Sequence, residues 1–387
     1  LVVSVEREAN VYQLKEIIEN RALKPPAMPS DPDATANLQY SGGTTGVSKA
    51  AVLSHRNLVS NAYQVQSWFT GMEEGKEVEL AALPFFHVFG LTVCMNFGIL
   101  AGAAQVLVPN PRDIKGMVNL IKKYRPTIFP AVPAMFNAIN NFPGIEKIDI
   151  SSIKGCFSGS APLPIEVLER FETLTGGIIT EGFGMTESSP VTHANPLHGL
   201  RKPGSIGIPL PNTDAKIVDL EEGTKEMPIG EDGELILYGP QVMSGYWNRE
   251  DETELTIRNG WLYSGDIAQM DEDGYFYIVG RKKDMIIAGG YNIYPREIDE
   301  ILYEHPKVLE AAAIGVPHET RGETVKVFIV VQPGETLTAE EVIEFCRERL
   351  APYKVPRLVE FRDELPKSTI GKVLRRVLRD EELAKSK

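Results

Sequence analysis

Apolar residues in this chain recur at spacings that change along its length, and each spacing predicts a different element. Leu1-Val2-Val3-Ser4-Val5 reads as a strand, and Val11, Leu14, Ile17 and Ile18 fall at helical intervals within residues 10–22. A proline-rich loop from Lys24 to Asp33 separates them from Ala34–Tyr40, where alternation predicts a strand. That strand runs into the glycine-rich turn Ser41-Gly42-Gly43-Thr44-Thr45-Gly46-Val47-Ser48-Lys49, then a second short strand and a helix capped by Ser54. To about residue 180, short apolar runs (Gln105–Val108, Thr127–Pro130, Gly155–Ser158) alternate with helical patterns, which predicts an α/β domain with a largely parallel sheet.

Near Pro203 the texture changes to short strands divided by turn signals: Ala215–Asp219, Gly233–Tyr238 and Tyr275–Val279. An antiparallel, barrel-like β module is predicted there. Past the charged linker Arg281-Lys282-Lys283-Asp284 come a strand at Met285–Ala288, a helix from Pro295, strands at Leu309–Gly315 and Val325–Val331, a helix over 339–350 with the capping box Thr338-x-x-Glu341, a strand at Leu358–Phe361 and a final helix. The predicted organisation is thus an α/β part over 1–202, an antiparallel β part over 203–280, a hinge at 281–284, and a small α+β domain over 285–387.

Composition narrows the function classes. The 387 residues leave room for two or three domains. Forty basic against fifty-three acidic side chains give a net charge of −13, which repels phosphate polymers and argues against nucleic-acid binding. Three widely spaced cysteines, Cys94, Cys156 and Cys346, make neither a disulfide framework nor a zinc site and fit a reducing cytosol. Leu80 to Pro111 carries no formal charge, but Pro84, Gly90, Gly98 and Gly102 punctuate it, so it reads as buried core rather than a membrane span. The chain opens at Leu1 without a methionine or a signal pattern, and an upstream portion is expected to be missing.

Five segments carry candidate chemistry. Gly42, Gly43 and Gly46 allow close backbone approach to a ligand, hydroxyls of Ser41, Thr44, Thr45 and Ser48 surround them, and Lys49 adds a cation. Such a nest suits phosphate, although the spacing is not that of a Walker A loop. In Glu181-Gly182-Phe183-Gly184-Met185-Thr186-Glu187, an aromatic between glycines can lie against a purine, and Thr186 with Glu187 suits magnesium. In Tyr263-Ser264-Gly265-Asp266, the carboxylate can accept both ribose hydroxyls; the plainer reading is a turn-stabilising aspartate. Gly280 to Pro295 begins with three cations, of which Lys282 reads as solvated linker. From Lys367 to Arg379 there are five cations and no acid, a local positive field in which Arg375, Arg376 and Arg379 read as a basic helix face and Lys372 stands at its start.

Taken in this order, the five segments resemble the adenylate-forming superfamily of acyl-CoA synthetases, luciferases and peptide-synthetase adenylation domains. Leu83-Pro84-Phe85-Phe86-His87-Val88-Phe89-Gly90, Gly159-Ser160-Ala161-Pro162-Leu163-Pro164, Gly204-Ser205-Ile206-Gly207 and Gly260 to Asp266 extend the likeness over essentially the whole chain, and the long-chain fatty-acid–CoA ligase branch is the most similar. The resemblance implies an adenylate-forming fold, with a large α/β domain of mixed or parallel sheets, a β subdomain and a mobile small domain. It implies ATP, magnesium, coenzyme A and a fatty acid as ligands, at most peripheral membrane contact, and a homodimer.

Position by position, Thr44, Thr45 and Gly46 would hold the β- and γ-phosphates. Ser160-Ala161 and Gly182-Phe183 would enclose adenine, beside Glu181, and Asp266 with Arg281 would hold the ribose. Thr186 would meet the α-phosphate and Glu187 the magnesium. Lys283 matches the hinge and Lys372 the lysine bridging the carboxylate and α-phosphate, while His87 and Gly289-Gly290 would border the acyl and pantetheine channel. Mild departures are Ser48 for proline, Ala50 for glycine, Phe183 for tyrosine, Ser264 for threonine and Gly280 for aspartate. Family members also carry a substantial segment before the phosphate loop. Amino-acid adenylation, adenylation with another acceptor, and a non-catalytic nucleotide- or acyl-binding fragment are the competing expectations.

Overall fold

A computed structural model describes residues 31–41, 49–367 and 373–385. Predictions that fall on 1–30, on the turn at 42–48 and on 368–372, Lys372 included, therefore lie outside the described residues.

The strands β1 (Thr35–Ser41) and β2 (Lys49–Ser54) form an antiparallel pair whose last register is Ser41 opposite Lys49, so the pair flanks the glycine-rich segment. Ser54 caps α1 (His55–Trp68) as its sequence predicts: its hydroxyl accepts from Asn57 N, and Asn57 Oδ1 accepts from Ser54 N.

A seven-stranded sheet follows, in the order β4 (Ala104–Leu107), β3 (Val78–Ala81), β5 (Ile128–Ala131), β6 (Gly155–Ser158), β7 (Ile178–Gly184), β8 (Val191–Ala194), β9 (Ile208–Pro209). Its first five members are parallel; β8 and β9 add on antiparallel, which the apolar pattern did not predict. Helices cover one face: α3 (Ile114–Tyr124), α4 (Pro133–Asn140) and α5 (Ile165–Thr175) bury Met117, Phe136 and Phe171 against Leu80, Phe129 and Cys156. The other face takes Val65 and Phe69 of α1 together with Val93 and Phe97, from a π-helical stretch Gly90–Asn96 that runs into α2 (Phe97–Leu100). Neighbouring strand residues such as Phe129 and Ile128 go to opposite clusters, as the two-residue strand period requires. The uncharged stretch from Leu80 is thus strand, loop, helix and strand within a core, and no helix among the described residues is long and apolar enough to cross a membrane.

β10 (Asp214–Val218), β11 (Gly233–Tyr238), β12 (Ile257–Arg258), β13 (Trp261–Met270) and β14 (Phe276–Arg281) form a five-stranded antiparallel sheet, with α6 (Glu250–Thr256) between β11 and β12. The order β10-β11-β13-β12 leaves β10 and β12 at opposite ends of the path, with β14 on β13. Ala51 and Leu53 of β2 pack into this sheet's core with Leu235, Leu237 and Leu262. The strand pair that flanks the phosphate-loop candidate is thereby fixed to the β part.

β14 continues through Arg281, one residue into the predicted linker, and a 3-10 turn occupies Lys282–Asp284. The remaining strands, β15 (Ile286–Ala288), β16 (Tyr291–Ile293), β17 (Val308–His318), β18 (Gly322–Val331) and β19 (Leu358–Phe361), make the last sheet. β17 and β18 are buried on both faces. α7 (Pro295–Tyr303) and α8 (Ala339–Arg347) cover Ala311, Val327 and Ile329, while Leu378 of α9 (Arg375–Lys385) covers Ala312, Ile314 and Phe328. Two-sided burial explains their nearly unbroken apolar sequence.

The basic tail differs from its sequence reading. Arg375 is ion-paired with the buried Asp299, Arg379 with Asp284, Lys367 with Glu310, and Arg376 with Asp380 one turn along. The local positive field is largely neutralised, because strand and helix partners distant in sequence bring acids to it. Lys282, read as solvated, likewise pairs at 2.9 Å with Glu234, whose side chain is only 6% exposed.

Candidate active site

The candidate residues gather at the carboxyl ends of the parallel strands, where open α/β sheets place their ligand crevices. β6 ends at Ser158, and the chain turns through Ser160, whose φ of 71° is left-handed, leaving Ser160 and Ala161 exposed. Opposite Ser158 in register stands Glu181, the last residue of β7 paired with β6. Its Oε1 accepts from Leu163 N at 3.3 Å, tying the loop after β6 to β7, and burial pushes the carboxyl up to about 7. Gly182 is required by packing: a Cβ there would stand 2.4 Å from the Phe157 ring. Phe183 follows, paired across the sheet with His193, whose ring meets it edge-on at 6.4 Å. His193 is fully buried with Nε2 unpartnered, and burial pulls it down to about 3, so it stays a neutral ring.

Thr186 and Glu187 lie on the 3-10 turn Thr186–Ser188 just beyond. Glu187 is buried, its Oε1 accepts from Tyr246 Oη at 2.7 Å, and its carbonyl accepts from Met243 N. The sequence reading missed Tyr246. Its hydroxyl is held protonated, well above its ordinary range, first by burial and then by the Glu187 charge. Over the same ring, at 5.1 Å, sits the Lys49 ammonium, which is also paired with Glu252. The backbone joins these parts: Trp247 N donates to Ala50 O and Val52 N to Gly245 O. The only signal of this in the sequence is Gly245, which has a φ of 153° and leaves no room for a Cβ against Thr253.

Asp266 and Arg281 stand opposite one another on β13 and β14, and Arg281 Nε reaches Asp266 Oδ1 at 3.0 Å. Asp266 is 4% exposed and Arg281 keeps a third of its side chain open. Lys283 sits within the field of this pair and of Glu187. Its ammonium is pulled below the usual lysine range by burial and by Arg281, against the opposing pull of Asp284, Asp266 and Glu187. One chain of contacts and charges thus joins Lys49, Tyr246, Glu187, Lys283, Asp266 and Arg281.

The structure places Gly289-Gly290 elsewhere, whereas the His87 loop reaches these strand ends through Phe89, whose ring stands 6.0 Å from that of Phe157 in β6. His87 is half-buried in the loop after β3; its Nδ1 accepts from Phe89 N at 3.3 Å, which puts the proton of the neutral ring on Nε2, and burial lowers its basicity. Gln39 Nε2 donates to Phe86 O at 2.7 Å, anchoring that loop to β1 two residues before Ser41. Gly289 and Gly290, with φ of 61° and 84°, form the β15–β16 turn, and Gly289 N donates to Arg321 O. Among the described residues, no hydrogen bond or ion pair joins either group to the Glu187–Asp266 cluster. The phosphate-loop residues Gly42, Gly43, Thr44, Thr45 and Gly46 lie outside the described residues, as does Lys372.

Comparison with known proteins matches residues 2–247 to the AMP-binding enzyme family and residues 297–372 to the AMP-binding enzyme C-terminal domain. The chain belongs to the AMP-binding enzyme family. Among curated relatives in it, a long-chain-fatty-acid–CoA ligase of Bacillus subtilis is 47% identical over 382 residues, covering 98% of this chain and 68% of that protein. One from Escherichia coli O6:H1 is 48% identical over 393 residues, with 98% and 69% covered. Among solved structures, ATP-bound MatB from Rhodopseudomonas palustris superposes with a TM-score of 0.86 at 35% identity, over 92% of this chain and 70% of that one. The AMP-binding enzymes share the large α/β domain and small C-terminal domain seen here. The Glu181–Glu187 segment, Tyr246 and Lys49 fall within the first matched region; Asp299 falls within the second.

Proposed function

We propose that the chain is an ATP-dependent acid–thiol ligase that activates a fatty acid, with a long alkyl chain, as its acyl-adenylate and then transfers the acyl group to coenzyme A. The observation that carries this reading is the cluster in which Lys49, Tyr246 and Glu187 are joined by direct contacts, Asp266 by an ion pair to Arg281, and Lys283 lies within the field of both carboxylates, in an AMP-binding enzyme. The curated relatives above support the fatty acid, and so does the uncharged stretch from Leu80 to Pro111.

The chemistry sets what these residues must do. A carboxylate oxygen attacks the α-phosphorus of ATP, a mixed anhydride forms, and pyrophosphate leaves. Two anions must meet, so the site must neutralise charge and align the reactants. Asp266, with Arg281 beside it, accepts the ribose hydroxyls; Phe183 lies against adenine; Thr186 binds the α-phosphate. The glycine-rich turn Gly42–Gly46 holds the outer phosphates near Lys49. Glu187 fits a magnesium ion: it is one buried carboxylate already oriented by Tyr246, and a hard cation of this kind is held by one or two carboxylates together with substrate phosphates. When bound, the ion supplies charge neutralisation at those phosphates. Lys372 supplies a second cation between carboxylate and α-phosphate. In the second step the thiol sulfur attacks the acyl carbon and AMP leaves with the bonding pair, along a channel bordered by His87 and Gly289-Gly290. Because the two steps want different groups at one centre, the small domain turns about Lys283 between them.

The test is a panel of fatty, aromatic and amino acids, each supplied with ATP, magnesium and coenzyme A, with pyrophosphate release and thioester followed by mass spectrometry. Fatty acids are expected to give both products. Turnover confined to amino acids would overturn the assignment.

A further inference from the structure

Strand β14 and helix α7 belong to different domains, and a seat and a latch join them. Tyr294 caps α7, immediately before Pro295. Its ring lies against the buried Gly280 of β14: a Cβ added to Gly280 would stand 3.2 Å from Tyr294 Cδ1 and 3.3 Å from Tyr294 Cβ. Its hydroxyl is hydrogen-bonded to the carboxylate of Asp232, on the turn before β11. Asp232 is itself held, since its Oδ1 accepts from Gln269 Nε2 of β13 at 2.6 Å. Two residues further on, Arg296 Nη1 donates to the carbonyl of Ile278 in β14 at 2.5 Å, while its Nε is tied to Glu300 one turn along α7. The start of α7 is therefore fastened to the large domain by an aromatic face, a hydroxyl–carboxylate bond and a guanidinium–carbonyl bond. β14 runs directly into the 3-10 turn Lys282–Asp284, and α7 begins at Pro295 soon after it.

Such contacts hold only one relative orientation of the two domains. A ring seated on a glycine face loses its contact after a small rotation, and the hydroxyl of Tyr294 and the guanidinium of Arg296 must then find water in place of Asp232 and Ile278 O. Fixed, bistable packing of this kind biases a two-state rotation instead of merely following it. We propose that Tyr294, seated on Gly280 and latched to Asp232, is a positioning residue that fixes the small domain in the orientation seen here and so sets the balance between the two half-reactions. The inference rests on the two-step reading given above. A second group couples the latch to the nucleotide side. Glu181, the last β7 residue paired with β6, lies within the field of both Arg296 and Glu300, so the docked start of α7 faces the part of β7 that carries Gly182 and Phe183.

The experiment measures orientation and chemistry on the same chain. Nitroxide labels are placed at Lys122→Cys on α3 and Glu340→Cys on α8, both exposed, while the native cysteines are buried. Pulsed electron–electron resonance is then recorded for the labelled parent, for Tyr294→Phe and for Gly280→Val. Valine suits a strand, so β14 persists while the seat is filled; Tyr294→Phe keeps the seat and removes only the latch. The parent is expected to give one narrow distance distribution. Both variants are expected to broaden or shift it and to change the ratio of acyl-adenylate formation to thioester formation by at least threefold. Distributions that superimpose on the parent's would overturn the latch, and equal changes in both half-reactions would overturn its positioning role. A parent that performs neither half-reaction would refute the ligase reading, while the distance measurement would still decide the latch.

Discussion

At the residue scale, side chains with chemistry at their tips were legible when the motif itself carried the partner. Asp266 and Arg281 stand in separate motifs that the family resemblance joins at the ribose, and the β13–β14 register makes them neighbours. Tyr246 was not legible, because Ser244-Gly245-Tyr246 looks like any loop until β2 and the Glu187 turn are packed against it. The same holds for Glu79, a carboxyl fully buried between Cys94 and Gln105 with Oε1 unpartnered. Burial pushes it up to about 8. Its folded value therefore lies above its unfolded value near 4.5, so the folded chain holds the proton more tightly. Its contribution is fully present below pH 4.5 and is lost as the pH rises toward 8, a loss of about 3 kcal/mol by pH 7. Glu79→Gln, neutral at every pH, should melt progressively higher than the parent as pH rises from 5 to 8. Thermal unfolding at several pH values checks this, and parallel curves for the two proteins would contradict it.

At the element scale, the pattern of apolar residues located most strands and the caps. Gly155–Ser158, Gly233–Tyr238 and Leu358–Phe361 lie where the pattern put them, and both the Ser54 cap and the Thr338–Glu341 capping box are formed. Direction and partnership were less visible. Nothing in Val191–Ala194 distinguishes an antiparallel addition from another parallel strand, since a strand buried on both sides has no alternation to read. The role of the basic tail was hidden for a similar reason: Arg375 and Asp299 are 76 residues apart. In the fold, Arg375 fastens α9 onto α7, and Asp299 accepts Ala313 N of β17 at 2.7 Å with its other oxygen. Removing one partner of such a pair leaves the other charge buried and alone. Arg375→Ala should therefore cost about 3–5 kcal/mol in urea unfolding. A loss under 1 kcal/mol would show that α9 is not held this way.

At the scale of the whole molecule, one system of charges and contacts runs from the β14 end through Lys283 and Asp284 to α9. Glu187 and Asp266 face Lys283; the Lys283 carbonyl and Asp284 accept from Arg379 of α9; and α9 begins three residues after Lys372. The helix that begins three residues after Lys372 is thus tied to the turn about which the proposed rotation would occur. Domain alternation assigns Lys372 to the first step only. The most direct measurement is the pair of half-reactions in Lys372→Ala: ATP–pyrophosphate exchange with a fatty acid, and thioester formation from supplied acyl-adenylate and coenzyme A. Exchange should fall by at least a hundredfold while thioester formation stays within a few fold of the parent. Equal loss of both steps, or unchanged exchange, would contradict the account.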